Sequence, residues 1–402
     1  MSLWFRTTRL LERRWFLLSI KNTIVLLSEL RFSGVMAARQ LNHRDDLEIL
    51  IVEQGNGLGR PFHTTGGVAK FWLENMGVVP PDECYASRLT GMRLKSDENE
   101  HTWRFGRTIG YTLHPDKYME WLGKDLNCEI VFSKRVTKTE IIENGEKEIE
   151  VTAGKNKIRT KYLIAADGPN SIVARSCGLY QRLKPDSEHI GMEYSIPYRE
   201  EVNEKEIVTL HFSRTYAPHG YVWRFPAGDQ IKVGLGIPTS AHKRPKERLD
   251  SYFREILKIK PEVITAHGGI IPTSYPLTKP VFKDRIFFTG DAARFCSPLH
   301  GGGILQALVT GKIIGEAINK NFSHPKEIRR EYMTKISWTL KTLKMHYRMK
   351  KLIYSMSDHD FTQLIDILKS YKISNFDPNV EIRKLGWFIL RHKPQWFLRI
   401  LF

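Results

Sequence analysis

The 402-residue chain is long enough for two or three hydrophobic cores, and 41% apolar residues with 11% aromatics exclude a disordered protein. A formal charge of +18 asks for an acidic partner: nucleic acid, anionic lipid or a phosphorylated ligand. The charge gathers at the end, where residues 320–402 hold 17 Lys and Arg against 7 Asp and Glu, a net of +10. Four scattered cysteines (Cys84, Cys128, Cys177, Cys296) form no CxxC pair, which argues against a zinc site or disulfide framework and suits a reducing cytoplasm. No run approaches about 18 apolar residues, so no membrane-spanning helix is expected. The first 20 residues are basic and apolar but lack a small-residue cleavage site, and do not read as a signal peptide.

In chain order, Ile24–Leu27 reads as a strand, Gly34–Leu41 as a helix, and Leu47–Val52 as a second strand ending at Glu53. In a dinucleotide-binding unit, GxGxxG joins the first strand to the helix, and an acidic residue about 20 positions on takes the ribose hydroxyls. Glu53 fits that spacing from Gly34, but the first two glycine places hold Glu29 and Arg31. A Gly-rich stretch (Gly55–Gly77) then leads into a helix with Trp72 and Leu73, residues 88–105 alternate like paired strands, and Gly110–Leu122 reads as a turn entering a helix. Strand-like runs follow at 129–132, 147–152 and 161–165. The last meets Asp167-Gly168, with a helix predicted near Ser171.

Residues 190–237 read as antiparallel sheet. Tyr221, Trp223 and Phe225 alternate within it, so a strand would place their three rings on one face. The stretch Arg285–Ala317 is the most informative: a strand (Ile286–Thr289), Gly290-Asp291, Pro298, the glycines Gly301, Gly302 and Gly303, then a helix from Ile304. Backbone N–H groups at such a helix start suit a phosphate or oxyanion, glycine admits a ligand close to the backbone, and the carboxylate can hold a hydroxyl. From Pro325 to Ser370 the chain reads as basic helix, and the terminal residues interleave Trp387, Phe388, Trp396 and Phe397 with Arg383, Lys384, Arg391, Lys393 and Arg399.

Glu53, Asp167-Gly168 and Gly290-Asp291 with Pro298 and GGGI occur in the order seen in FAD-dependent aromatic hydroxylases and their relatives, which this chain resembles. Within that superfamily, Tyr221-x-Trp223-x-Phe225-Pro226 followed by Val233-Gly234-x-Gly236 is similar to the signature of the geranylgeranyl reductase family. The resemblance covers roughly residues 24–320. It implies an α/β fold: a discontinuous Rossmann-like FAD-binding domain (20–78, 107–180 and 270–325), a β-sheet substrate domain (79–106 and 181–269) and a basic helical C-terminal region (326–402). It also implies an FAD-dependent oxidoreductase that saturates C=C bonds of a geranylgeranyl or related isoprenoid lipid, with electrons from NAD(P)H, ferredoxin or another carrier protein. The implied cofactor-binding set is Gly34, Glu53, Arg60, Val136, Asp167, Gly168, Gly290, Asp291, Pro298, Gly301, Gly302, Gly303 and Ile304. Tyr221, Trp223 and Phe225 would line the substrate, and no metal is implied.

Each residue has a plainer reading beside this one. Asp291 and Asp167 could cap a helix or shape a turn, Glu53 could end a strand in solvent, Gly34 could serve helix–strand packing, and the aromatic row could be core. His300, where the flavin ring is expected, is a weak catalytic candidate as a proton donor, with a simple loop histidine as the alternative. His63, Thr64 and Thr65 stand where some relatives carry a cysteine near the flavin, so a thiol step is not available there. The basic-aromatic terminus could pack on the protein or meet a lipid headgroup layer; no nucleic-acid-binding motif is present. A cytoplasmic protein, peripheral on a membrane, is the expected location. Two other functions stay open: an FAD monooxygenase, and a lipid-binding relative that has lost FAD, for which the altered glycine loop is the argument. The same loop leaves open whether residues 1–33 are the native start, which mass spectrometry of the natural protein would decide.

Overall fold

The computed structural model describes residues 23–26, 31–42, 44–58, 62–144, 146–179, 187–241, 244–275 and 282–398. Its first layer is a six-stranded sheet ordered 282–283, 286–288, 162–165, 23–26, 48–52, 129–131. Every neighbouring pair is parallel except the short 282–283 edge strand, which turns back on its neighbour. Parallel strands covered on both faces need continuous apolar runs, and Ile49–Val52, Tyr162–Ala165 and Ile286–Phe288 are buried throughout. Strand 23–26 lies between 48–52 and 162–165, so the strand order reverses there; ligands of such sheets bind beyond the carboxyl ends at this point.

Helix Phe32–Leu41 leaves strand 23–26 and packs against helix Ile304–Asn321 almost backbone to backbone. A Cβ on Gly315 would lie 2.5 Å from the Ala37 carbonyl oxygen, and one on Gly311 would collide with that of Ser33. Bare glycine at those two places is therefore what lets the helices meet.

The second layer is a seven-stranded sheet ordered 265–271, 189–197, 230–238, 221–227, 207–211, 91–95, 100–104. Alternate residues of its central strands (Val222, Ile231, Val233, Leu235, Ile237) bury one face against Leu249, Tyr252 and Phe253 of the helix beginning at Pro245. The opposite face looks toward the first layer. A small sheet of strands 67–69, 110–113 and 85–89 joins the two layers.

The charged hairpin 136–144/146–153, with 156–160 added, is a separate three-stranded sheet. Two of its strands, 136–144 and 156–160, went unread in sequence because lysines and glutamates interrupt the alternation. Gly110–Leu113, read as a turn, is a fully buried strand.

The C-terminal helices (325–355, 358–368, 378–392 and 394–398) clasp both layers. Tyr332 donates to the Phe288 carbonyl (2.6 Å), and Lys350 donates to the Thr273 carbonyl (2.9 Å). Arg214 donates to the Ile353 carbonyl (2.5 Å) at the end of the long helix. Among the four terminal aromatics Trp396 is core, 1% exposed with its indole N–H on Asp360 (3.0 Å), whereas Trp387 is 66% exposed. No helix among the described residues is long and apolar enough to cross a membrane.

Candidate functional site

The residues expected at a cofactor follow the carboxyl ends of adjacent parallel strands. Gly34 is buried in the first turn of helix Phe32–Leu41. Glu53, 1% exposed, ends strand 48–52; its Oε1 accepts the Gly55 N–H at 2.6 Å, so it is not a solvated strand end. Main-chain bonds from Glu53 to Val131 and from Lys134 to Glu53 hold this turn against the one leading to buried Val136. Arg60 and Glu29 lie outside the described residues. Arg31 stands at the helix N-cap with φ −92°, a conformation that needs no glycine.

Asp167 is buried and occupied. One carboxylate oxygen accepts the Ser171 hydroxyl (2.5 Å), and the other accepts the N–H groups of Ile172 (2.8 Å) and Val173 (3.2 Å). It caps the short helix Ile172–Ser176 together with Ser171. Burial pushes its carboxyl up to about 6 against those hydrogen bonds. Gly168 takes the left-handed φ of +70° that the turn requires.

After strand 286–288 the chain enters a 3₁₀ turn at Gly290, with φ +56° and its N–H on the Thr310 hydroxyl (3.1 Å). Asp291 turns toward the glycine loop: a Cβ on Gly303 would stand 3.2 Å from its Oδ1. Pro298 is buried, Gly301 has φ +67°, and helix Ile304–Asn321 begins with no side-chain cap. Helix Phe32–Leu41 also starts without a side-chain cap, and its Ser33 lies beside Gly311, two turns into the other helix. Their first-turn N–H groups and dipoles favour an anion. An uncapped helix start for a diphosphate and a second one beyond it, with the Asp291 and Glu53 carboxylates at strand ends for hydroxyls, is the donor and acceptor set that FAD requires. The residues present fit it.

The aromatic row faces this loop. Tyr221 donates to the His300 carbonyl (2.6 Å), joining the second sheet to the glycine loop. Trp223 pairs with Gly234 across the strands, and a Cβ on Gly234 would lie 2.5 Å from the indole, so the ring rests on bare backbone. Phe225 covers Gly67 in the same way, at 2.6 Å from a Cβ there. The aromatic and glycine halves of the motif are thus one packing unit.

His300 is open on one side and enclosed on the others; loss of solvation pushes its imidazole down to about 4, so it is neutral near pH 7. Its Nδ1 accepts the Gly302 N–H at 3.2 Å. Behind it, fully buried His346 shares a 2.9 Å hydrogen bond with the Ser297 hydroxyl, and burial pushes it to about 3. Cys296, buried with its thiol on the Gly301 carbonyl (3.1 Å), is pushed upward by burial and stays a thiol.

A polar cluster on this face went unread in sequence. Glu193, 2% exposed, accepts the Trp223 indole N–H (2.6 Å) and the Thr65 hydroxyl, with His267 Nε2 3.4 Å from its other oxygen. Lys232 donates to the Thr65 carbonyl at 2.7 Å, and burial lowers its ammonium against the pull of Glu193. The available signal was a carboxylate at an inward position of an otherwise apolar strand. The hollows found elsewhere, one of about 390 Å³ beside Asp250 and Pro261 and a constriction between Leu305 and Trp338, touch none of these groups. Among the described residues no three His, Cys, Asp or Glu side chains are grouped to hold a metal.

Residues 188–271, the strands bearing the aromatic row and Glu193, match the geranylgeranyl reductase catalytic domain. A digeranylgeranylglycerophospholipid reductase of Methanococcus vannielii is 27% identical over 366 residues, 87% of this chain and 90% of that protein. Digeranylgeranylglycerophospholipid reductase 2 of Methanosphaera stadtmanae is 29% identical over 379 residues, 88% and 93% of the two chains. The fold is shared with a geranylgeranyl bacteriochlorophyll reductase-like protein of Thermoplasma acidophilum (TM-score 0.82, 21% identity, 93% of this chain and 99% of that one). It is shared more loosely with a flavin-dependent brominase (TM-score 0.68, 16% identity, 94% of this chain and 99% of that one). Residues 188–271, with the aromatic–glycine unit, thus match the geranylgeranyl reductase catalytic domain, and over most of its length the chain is similar to digeranylgeranylglycerophospholipid reductases.

Proposed function

We propose that this protein reduces C=C bonds in the geranylgeranyl chains of a glycerophospholipid, using FAD. The observation that carries the reading is the Tyr221–His300 hydrogen bond. It fixes the aromatic row against the glycine loop, so a substrate on the row and a flavin at the loop would share one boundary. Bound and reduced, FAD supplies the hydride. Asp291 and Glu53 would hold its hydroxyls, Gly34, Gly303 and Ile304 would offer helix-start N–H groups to it, and Gly290, Gly301 and Gly302 would leave room beside the backbone. Val136, Gly168 and Pro298 would shape the loops around it, and Asp167 would act through the turn it caps. An isolated alkene has no carbonyl to polarise, so the protein's contribution is positioning and exclusion of water. Tyr221, Trp223 and Phe225 offer a flat apolar wall for that, with His300 neutral at its rim.

The proposed domain division is 20–78, 107–180 and 270–325 for FAD, 79–106 and 181–269 for substrate, and 326–402 as a helical clasp. A lipid substrate favours work at a membrane surface, with exposed Trp387, Leu398, Arg383, Lys384 and Arg391 as the approach. NAD(P)H or a ferredoxin would deliver the electrons.

The test is the visible spectrum of the purified protein, then anaerobic incubation of dithionite-reduced holoenzyme with a digeranylgeranylglycerol phospholipid. Products heavier by two hydrogens per bond support the reading. A protein that takes up no FAD would sink it, and a hydroxylated product formed with oxygen would replace it with a monooxygenase.

A further inference from the structure

Saturating an alkene needs a proton as well as a hydride. Near the glycine loop, His346 is fully enclosed, the Cys296 thiol is turned into the protein, and His300 spends Nδ1 on the Gly302 N–H. Two charged groups on this face, Glu193 and Lys232, take no part in holding the cofactor. Trp223, Gly234, Glu193 and His267 stand in register on four adjacent strands, so their side chains share the face turned toward the first layer. The bare Gly234 lets the Trp223 indole reach across to Glu193, and His267 approaches the same carboxylate from the other side.

Glu193 is expensive to keep there. A carboxylate 2% exposed loses its hydration, and the buried Oε1 has no hydrogen bond among the described residues; His267 Nε2 stands 3.4 Å from it. The Trp223 and Thr65 donors both fall on Oε2, which leaves Oε1 to orient the imidazole. His267 keeps 22% of its side chain exposed, with its ring 6.1 Å from that of His63 in the loop leading to Gly66-Gly67. With Nε2 turned to Glu193, Nδ1 is the ring nitrogen that Glu193 does not engage. The titratable groups around it are Glu193 on the neighbouring strand, His63 on the facing loop, and Lys232 beyond Thr65.

We propose that His267 is the catalytic proton donor of the olefin reduction and that Glu193 is its positioning residue. The inference rests on the prenyl-reductase reading above. The alkene π bond is replaced by two C–H bonds. One carbon takes a hydride from the reduced flavin, which is left oxidised; the other takes the proton from His267 Nδ1, and water reprotonates the neutral imidazole. Glu193, 3.4 Å from Nε2, fixes the ring plane. Thr65 couples the pair to the loop that, in this chain, has no cysteine.

The experiment uses FAD-loaded full-length enzyme reduced with dithionite, mixed anaerobically with a digeranylgeranylglycerol phospholipid in detergent, following flavin reoxidation in a single turnover across pH 5.5–9. The wild-type rate is expected to fall on the alkaline side and to slow in D₂O. His267→Gln should lower the rate at saturating lipid by about 100-fold and erase the alkaline limb, with the flavin spectrum and lipid KM within about twofold of wild type. Glu193→Gln keeps an acceptor for Trp223 and Thr65 but removes the charge. It should cost about tenfold, because the ring loses the group that orients it. Independently of turnover, side-chain ¹⁵N NMR should show the His267 ring signals change in Glu193→Gln and stay as in wild type in a variant remote from the pair. A His267→Gln enzyme with wild-type rate and pH profile overturns the proposal and leaves the reductase reading standing. So does a loss of rate matched by loss of flavin. A wild-type enzyme that turns over no prenyl lipid removes both.

Discussion

The indole of Trp223 lies flat over Gly234, the residue paired with it on the next strand, at a distance that a single methyl group would close. Gly234→Ala would set a Cβ 2.5 Å from the ring and 2.7 Å from the Met192 carbonyl, with backbone on one side and a pinned ring on the other. A destabilisation of about 1–3 kcal/mol is expected by denaturant unfolding. Gly236→Ala meets nothing nearer than 3.6 Å and should cost well under about 1 kcal/mol. Equal effects at the two positions would show that the indole is not held as described.

Trp223→Ala should leave the flavin spectrum intact and cut prenyl turnover, because the variant loses the wall and the Glu193 partner without touching the helix starts. Trp223→Phe keeps the wall and loses the N–H, so it separates the two contributions. Activity of both variants against the same lipid, with absorbance near 450 nm as the control, decides it; loss of flavin in Trp223→Ala would make the residue part of the framework.

Asp291→Ala removes a carboxylate beside the Gly303 helix start and should weaken FAD binding by about 1–3 kcal/mol, or roughly 10–100-fold, with the fold retained. Flavin fluorescence titration of apoprotein measures this directly. Unchanged affinity would leave Asp291 as a turn residue.

Asp167 gives a pH signature of stability. Its folded-state value is raised to about 6 from an ordinary 3.8, so its favourable contribution is fully present below about pH 4 and is lost as pH rises through 6. Asp167→Asn cannot ionise. The variant should gain on the wild type between pH 4 and 7, by up to about 3 kcal/mol in unfolding free energy. A difference flat with pH would mean that the carboxylate is not desolvated.

Arg214 ties the second sheet to the end of helix 325–355 through the Ile353 and Met356 carbonyls and stacks over Phe361. Arg214→Ala strands those carbonyls, and a loss of about 2–3 kcal/mol is expected. Limited proteolysis should then release the segment after residue 355 before the rest of the chain unfolds.

The parallel strands, the helix from Ile304 and the aromatic face were legible because each follows a local rule: a buried run, a glycine-rich helix start, period-two alternation. The charged strands 136–144 and 156–160 were not, since solvent-facing Lys and Glu carry no apolar period. At the site, sequence placed Asp291 and Glu53 at strand ends. It could not reveal that Asp167 spends both oxygens on a helix start, nor that Glu193, His267 and Thr65, from three separate segments, converge. Those relations depend on tertiary register between distant strands. Trp396 is a related case: its pattern suited a lipid surface, but Asp360 and the terminal core claim it.

The pairing of helix Phe32–Leu41 with helix Ile304–Asn321 also sets a timetable for synthesis. Asn319 donates to the Gln40 carbonyl across 279 residues, and the first helix has its apolar face buried largely by that partner. At about 5–20 residues per second, the ribosome needs roughly 15–60 s to supply it. For that interval the side of the helix that will meet Gly311 and Gly315 stays uncovered, although Phe32 can already reach Tyr118 and Arg39 the Leu122 carbonyl. Completion of this layer therefore waits for the last third of the chain.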